Sequence, residues 1–405
     1  MKRSKEEIIR YVKEEKIKSI RLAFCDIYGR EKNIAIAPEE LADAFTYGIP
    51  INASAIKDFG EGIYCDLLLH PEPETLATVP NKPDNFKTVI MFCRMTYPDG
   101  RPFESRGTKS VLMKAIDCAE VEGFEFFFSS EMQFYLMKLD ENGKRTNEPL
   151  DEASFLDVEP DDKSEAIRRE IYLALEGMEI VPSNMFHQLG PGQNQIDFAF
   201  SNPLQACNII TKAKTIIKNV ASLNGLYADF SPKPFDDQNG NGMHIIMSVR
   251  ANDGTDNRMN SAVAGVLDKI DEMTAFLNPY PESYKRLGSV RAPKYISWSS
   301  ENRAQLLRVP EAVGHYHIAE LRSADATVNP YLAFALMIFA GLYGIKNTME
   351  LPEASNFDFI DVSPEIAAKY KKLPQSIEEA RELARNSEFI KEHLPKDLIE
   401  LYLNR

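Results

Sequence analysis

Apolar residues recur at helical spacing in some stretches of the chain and alternate or cluster in others. Ser4 and Glu7 form a capping-box signature ahead of Ile8, Ile9 and Val12, which predicts a short opening helix. β-forming residues then gather at 17–25 and 32–36. The segment between them, DIYGRE, carries Asp26 and Gly29 and predicts a hairpin. Further short strands are expected at 67–69 and 89–94, and the turn-rich PDGRP at 98–102 closes a small α+β domain over residues 1–100. In residues 101–405 helices and strands alternate. Helical periodicity covers 109–121, 164–177, 203–224 and 261–276, whereas the aromatic stretch 124–137 and the apolar stretch 242–249 read as strands. Residues 252–257 read as a polar loop. The apolar run 331–343 contains Gly341, is too short to span a bilayer and reads as a buried helix.

Composition narrows the class. At 405 residues the chain can hold two domains, and 44% hydrophobic with 27% charged residues is the balance of a globular protein. A formal net charge of -14 argues against nucleic-acid or anionic-membrane partners, which need a basic surface. The opening MKRSKEEIIRYV has no apolar core, so no signal peptide is expected. The five Cys are odd in number, widely spaced and without zinc-ligand spacing; buried thiols in a reducing cytoplasm are the expectation.

Three features carry candidate chemistry. NGNGMH, 239–244, is a turn with exposed backbone N–H groups that runs into an apolar strand and places His244 at its start. GPGQNQ, 190–195, is a second Gly-rich turn lined with amides. Arg286, Arg291, Arg303, Arg308 and Arg322 are gathered in one region of an acidic chain, which suggests anion recognition because guanidinium grips carboxylate and phosphate bidentately. Taken singly, each Arg reads as a surface ion pair and each turn as a turn.

Their order resembles the glutamine synthetase family over nearly the whole chain. NGNGMH is similar to the family's NGSGMH, FHQLGPGQNQ to HHEVAPGQHE, GIPINASAI to GIGFDGSSI, and AELRSADATVNPYLAFA to its RIExRxxDxxxNPYLAFA; SENRAQLLRVP, YCDLLLHPEPET and YKRL also match. The resemblance implies an α+β fold: an N-terminal β-grasp domain at 1–100, then a catalytic domain at 101–405 with an antiparallel sheet flanked by helices. It implies ring hexamers with active sites between neighbouring subunits. The family activates glutamate with ATP and lets ammonia displace the phosphate, and two divalent cations balance the charge.

By that resemblance Glu131, His244 and Glu320 are the ligands of one Mg2+ or Mn2+, since a hard cation takes carboxylate oxygens. At the second metal position the family's three Glu correspond to Gln133, Gln188 and Gln195. The three formal charges are gone, and with each worth several kcal/mol toward a divalent ion the expectation is one ion, not two. Asn52 stands where the family has the Asp that attracts ammonium, and Arg291 stands near the position of a flap Glu. Ile318 replaces an Arg near the nucleotide, and Ile246 a His. By the same resemblance Arg286 and Arg322 serve an amino-acid carboxylate, Asn239 and Gly240 its backbone, Gln188 and Gln195 also line the substrate position, and Arg303, Arg308 and Ser248 serve the nucleotide; Arg322, Arg303, Asn52 and Arg291 stand at catalytic positions.

Two readings remain open at this stage. One is an ATP-dependent carbon–nitrogen ligase acting on glutamate or a related acid with an amine other than free ammonium. The other is a non-catalytic homologue that binds nucleotide or amino acid as a sensor or regulatory subunit. For assembly, the closing HLPKDLIELYLNR matches the helix that precedes the family's ring-docking extension. A single hexameric ring, or rings stacked only weakly, is therefore expected.

Overall fold

The computed structural model describes residues 4–404 apart from 57–58, 60–61, 64, 81–83, 253, 255–257, 290, 311–317 and 360. Most of the expected polar loop at 252–257 lies outside these described residues.

The capping box forms at α1 (Lys5–Glu14). Glu7 N–H donates to Ser4 Oγ at 3.2 Å and Ser4 N–H donates to Glu7 Oε2 at 2.7 Å. Ile8 and Val12 share a face and are buried, while Ile9, off that face, is exposed. The first sheet contains β1 (Ser19–Cys25), β2 (Glu31–Ile36), β3 (Ile49–Asn52), β4 (Asp66–Pro71), β5 (Ala77–Thr78) and β6 (Thr88–Thr96). Its order is β2-β1-β6-β4-β3, with β5 also paired to β6. The predicted hairpin is β1–β2, and its turn is held by Asp26 Oδ1, which accepts the N–H groups of Tyr28 and Arg30 at 2.9 Å each. β1 and β6 run parallel, so this small domain is a mixed sheet with helices, as β-grasp architecture requires.

The second sheet contains β7 (Phe124–Leu139), β8 (Arg145–Pro149), β9 (Pro182–His187), β10 (Gln193–Ser201), β11 (Leu226–Asp229), β12 (Met243–Ala251), β13 (Trp298–Ser299), β14 (Leu307–Arg308) and β15 (Ala319–Leu321). Its order is β13-β14-β15-β12-β7-β10-β9, with β8 and β11 along the distal half of β7. It is antiparallel except at its edge, where β13 and β14 are parallel because residues 300–306 carry the chain back before it pairs. No hairpin links them.

Helices α2 (Leu41–Tyr47), α3 (Thr108–Val121), α4 (Glu165–Glu176), α5 (Pro203–Leu223), α6 (Met259–Leu277), α7 (Pro281–Arg286) and α8 (Pro330–Lys346) follow, with four short helices after residue 363. α8 is the predicted apolar helix, and 14 of its 17 residues are buried, so it has no polar face to display. It lies under the sheet with Phe334 stacked on Phe128 of β7, centroids 4.2 Å apart. α6 crosses α8 backbone to backbone: a Cβ on Gly344 would sit 2.0 Å from the Ser261 carbonyl oxygen, and one on Gly265 2.1 Å from that of Ala340. Among the described residues no helix is long and apolar enough to cross a membrane. Cys25, Cys93 and Cys207 are buried, but Cys65 is exposed, so the expectation of uniformly buried thiols fails there.

Candidate functional site

Strand register brings the site together. In antiparallel neighbours, directly opposed residues point to one face, and so do residues two apart along a strand. His244 of β12 is opposite Glu131 of β7, and Ile246 is opposite Glu320 of β15. Gln195 and Asp197 of β10 are opposite Gln133 and Glu131, and Gln193 is opposite Tyr135. Arg308 of β14 is opposite Glu320. One sheet face therefore collects three carboxylates, three Gln from adjacent strands, a His and the surrounding cations.

On that face His244 Nδ1 lies 3.0 Å from Glu131 Oε2 and 3.2 Å from Glu320 Oε1. The donor atoms of the three residues fall within 4.8 Å of one another. Two carboxylate oxygens and an imidazole nitrogen are a donor set that suits one Mg2+ or Mn2+. Burial pushes the Glu320 carboxyl up, but the His244 hydrogen bond and the charges of Arg322, His244 and Arg308 outweigh it and hold it well below the carboxylate range. Arg322 Nη1 donates to Glu320 Oε1, and Arg308 Nη1 to Oε2 at 3.4 Å. Burial also opposes ionisation of Glu131, yet the His244 contact prevails and lowers it. Asp197 is pushed up to about 6 by burial and by the Glu131 charge beside it. Gly242 completes the cradle: a Cβ there would meet Arg286 Nη2 at 2.7 Å and His244 Nε2 at 3.1 Å.

The second cation position does not fit an ion. Gln133 Nε2 and Gln188 Nε2 both donate to Gln195 Oε1, at 2.9 and 2.8 Å. Gln133 Oε1 accepts the Gly242 N–H at 2.8 Å and Gln188 Oε1 the Leu189 N–H at 2.9 Å. Gln195 Nε2 donates to Asp197 Oδ1 at 2.8 Å and Glu131 Oε2 at 3.3 Å. Each amide oxygen of the trio already accepts at least one protein N–H, so a cation here would compete with these bonds and gain no anionic ligand.

These residues line a cleft of about 310 Å³ together with Asn239, Gly240, Arg286, Arg291, Arg303 and Arg322. Arg286 is buried and donates to the carbonyls of Ser323 and Arg322, at 2.7 and 3.1 Å; burial pushes it down to about 10. Arg291 reaches the cleft from a left-handed backbone, φ 61°, unusual for a residue with a side chain. Glu320, Arg308 and Ser248 stand behind the lining, Ser248 buried two pleats beyond His244. Asn52 is not brought here: it ends β3, exposed, with its Oδ1 accepting the Ser54 N–H at 3.1 Å. Sequence reasoning missed Tyr135, whose hydroxyl donates to the Asn239 carbonyl at 2.7 Å, although it lies two residues beyond Gln133 on the same face. It also missed Gln193, which donates to the Gly240 carbonyl at 3.1 Å, and the aromatic wall of Phe155 and Phe186, centroids 5.7 Å apart.

A buried charge network supports this wall from behind. His187 Nε2 lies 2.9 Å from Asp151 Oδ1 and its Nδ1 2.7 Å from the Gln188 carbonyl oxygen. Both ring nitrogens face acceptors, an arrangement that favours the doubly protonated ring. Burial lowers the His187 pKa, but Asp151 and the Gln188 carbonyl raise it above its ordinary 6.5 overall. Asp151 also holds the Gly192 N–H at 2.8 Å, and its own pKa is lowered because these bonds outweigh burial. Arg168 donates to both oxygens of Asp162 and to Asn194 Oδ1. Arg168 and His187 thus face the two buried carboxylates, Asp162 and Asp151.

A group with a raised folded pKa stabilises fully below its unfolded pKa and loses that contribution as pH climbs through the folded value. The His187 contribution is thus present below about 6.5 and fades on the alkaline side. That of Asp151, with its lowered pKa, is present above about 3.8 and fades on further acidification. Urea midpoints from pH 4 to 9 should therefore fall on the alkaline side in the native chain, and His187→Gln should flatten that fall. An unchanged alkaline slope in the variant would contradict the imidazolium.

Residues 16–98 match the family described as glutamine synthetase, beta-Grasp domain, and residues 105–405 match glutamine synthetase, catalytic domain. The chain is 36% identical over 415 residues to the glutamine synthetase of Methanosarcina mazei, covering 99% of this chain and 92% of that one. It is 38% identical over 363 residues to that of Clostridium saccharobutylicum, covering 87% and 82%. In fold it is similar to a GmaS chain solved as an ADP complex, TM-score 0.87 at 22% identity, covering 100% of this chain and 94% of that one.

Proposed function

The chain belongs to the glutamine synthetase family, and on that premise we propose that it is an ATP-dependent ligase that works with one divalent cation and does not use free ammonium efficiently. The family uses ATP and divalent metal ions on small-molecule substrates. The observation that carries the reading is the pairing of a convergent Glu131–His244–Glu320 donor set with an adjacent position closed by three interlocked Gln.

In this reading Glu131, His244 and Glu320 hold Mg2+ or Mn2+, which when bound offsets charge on the transferring phosphoryl group. Arg303, Arg308 and Ser248 serve the nucleotide. Asn239, Gly240, Arg286 and Arg322 receive the amino-acid substrate, with Tyr135 and Gln193 orienting the 239–240 backbone through its carbonyls. Glutamate or a related acid presents its carboxylate to this Arg-lined cleft, where desolvated guanidinium groups strengthen their grip. Asn52 lacks the charge to attract ammonium, and Arg291 repels it. In this reading the chains form a closed homo-oligomeric ring of heterologous contacts, in which Asn52 would serve the cleft of a neighbouring copy. A second reading, a non-catalytic member that binds nucleotide or amino acid, draws on the closed Gln trio.

With glutamate, ATP, Mg2+ and ammonium, the purified protein should make little or no glutamine, because several electrostatic supports of the transition state are changed at once. Glutamine formation at on the order of 10 per second would overturn the proposal. Phosphate release should instead depend on one member of a panel of amines whose net charge at the assay pH is neutral or negative. Tight ATP binding without phosphate release from any of them would favour the non-catalytic reading.

A further inference from the structure

The Gln trio turns its amide oxygens toward protein N–H groups and keeps donors to spare. A primary amide nitrogen carries two hydrogens. Gln195 Nε2 uses both, on Glu131 and Asp197. Gln133 Nε2 and Gln188 Nε2 each use one, on Gln195 Oε1. Among the described residues this leaves one N–H on Gln133 and one on Gln188 with no acceptor. Both side chains line the cleft. Arg322, 5% exposed and on the same wall, has its Nε buried and without a partner as well. Buried donors are rarely left unmade, since each forfeits hydration without return. The lining has four guanidinium groups, Arg286, Arg291, Arg303 and Arg322, against the carboxylates of Glu131 and Asp358.

We infer that the Gln133–Gln188–Gln195 cluster is an oxyanion subsite: in place of a second cation, it binds a carboxylate or phosphate oxygen of the ligand directly through the Gln133 and Gln188 side-chain N–H groups. The subsite is reversed in sign relative to a carboxylate triad. Glu at these positions would present acceptors and require a cation between itself and an anionic ligand. Gln, once locked by its neighbours with its oxygens inward, presents hydrogens and needs no such bridge. The orientation is imposed by the backbone N–H groups of Gly242 and Leu189, which can only donate and so fix the amide oxygens toward themselves. This inference rests on the proposed placement of the substrate cleft, but it requires neither catalysis nor metal.

The test therefore uses full-length protein in EDTA without ATP. Inorganic phosphate and L-glutamate are titrated separately by calorimetry, the first reporting a phosphate oxygen and the second a carboxylate. At least one should bind. Gln188→Glu, at a half-buried position that tolerates the change, should weaken that binding about 10-fold or more, and Gln133→Glu/Gln188→Glu should weaken it further. Mn2+ titration of the double variant should show an additional ion. Neither anion binding the native chain would overturn the inference. So would anion affinity unchanged within threefold in both variants, or two Mn2+ per native chain. None of these results depends on whether the protein turns over ATP: failed anion binding leaves the ligase proposal to its own assay, whereas two Mn2+ per native chain would also overturn its single cation.

Discussion

Arg168→Ala should lower the unfolding free energy by about 3–5 kcal/mol, among the largest effects of any single change in this molecule. Asp162 is fully buried, and Arg168 is its cationic partner, donating to both carboxylate oxygens. Truncation leaves that carboxylate uncompensated in a low-dielectric interior, where the loss of one partner costs far more than the pair itself contributes. Asn194 also loses the Arg168 Nη1 donor, and Asn194 sits between Gln193 and Gln195. The damage should extend from stability to ligand binding. Urea unfolding followed by fluorescence would measure it. A loss under about 1 kcal/mol would mean that Asp162 finds other solvation. Arg168→Met with Asp162→Leu should recover much of the deficit, because replacing a buried ion pair with apolar groups is often close to neutral.

Glu320→Ala should weaken Mn2+ binding at least about 30-fold. A carboxylate about 4 Å from a divalent ion contributes roughly 2 kcal/mol even at the dielectric of water and about 8 kcal/mol at an effective value of 20. The lower figure sets the bound. Two further charges enlarge the effect, since Arg322 and Arg308 both pair with Glu320 and would be left facing the ion. Glu320→Gln keeps the shape and isolates the charge, so it should lose most of the same affinity. Affinity within threefold of the native chain in either variant would show that the ion is held elsewhere.

The anatomy of both halves was legible where local signals are strong. Ser4 and Glu7 announced α1 because a capping box is a contact between near neighbours. The apolar run at 331–343 announced α8 because a helix buried on all sides has no polar stripe. Strands β8 to β11 and β13 to β15 were not legible. β10 carries Gln193, Asn194, Gln195 and Asp197, and this polarity reflects partners on β7 and β9 rather than a solvent face.

The sequence by itself determined the family, through ordered motifs, and the residue types at the site: two Glu and a His at one position, three Gln at another. Chemistry of that kind travels with residue identity. It could not determine which way each amide faces. That was decided by the backbone N–H groups of Gly242 and Leu189, which reach Gln133 and Gln188 only once β12 is laid against β7 and the 188–193 turn has closed. Nor could it reveal that Asp151, Asp162, Arg168 and His187 share one buried network, for their spacing along the chain has no period. Long-range electrostatic neighbours are set by strand register, and register is a property of the packed sheet rather than of any local stretch.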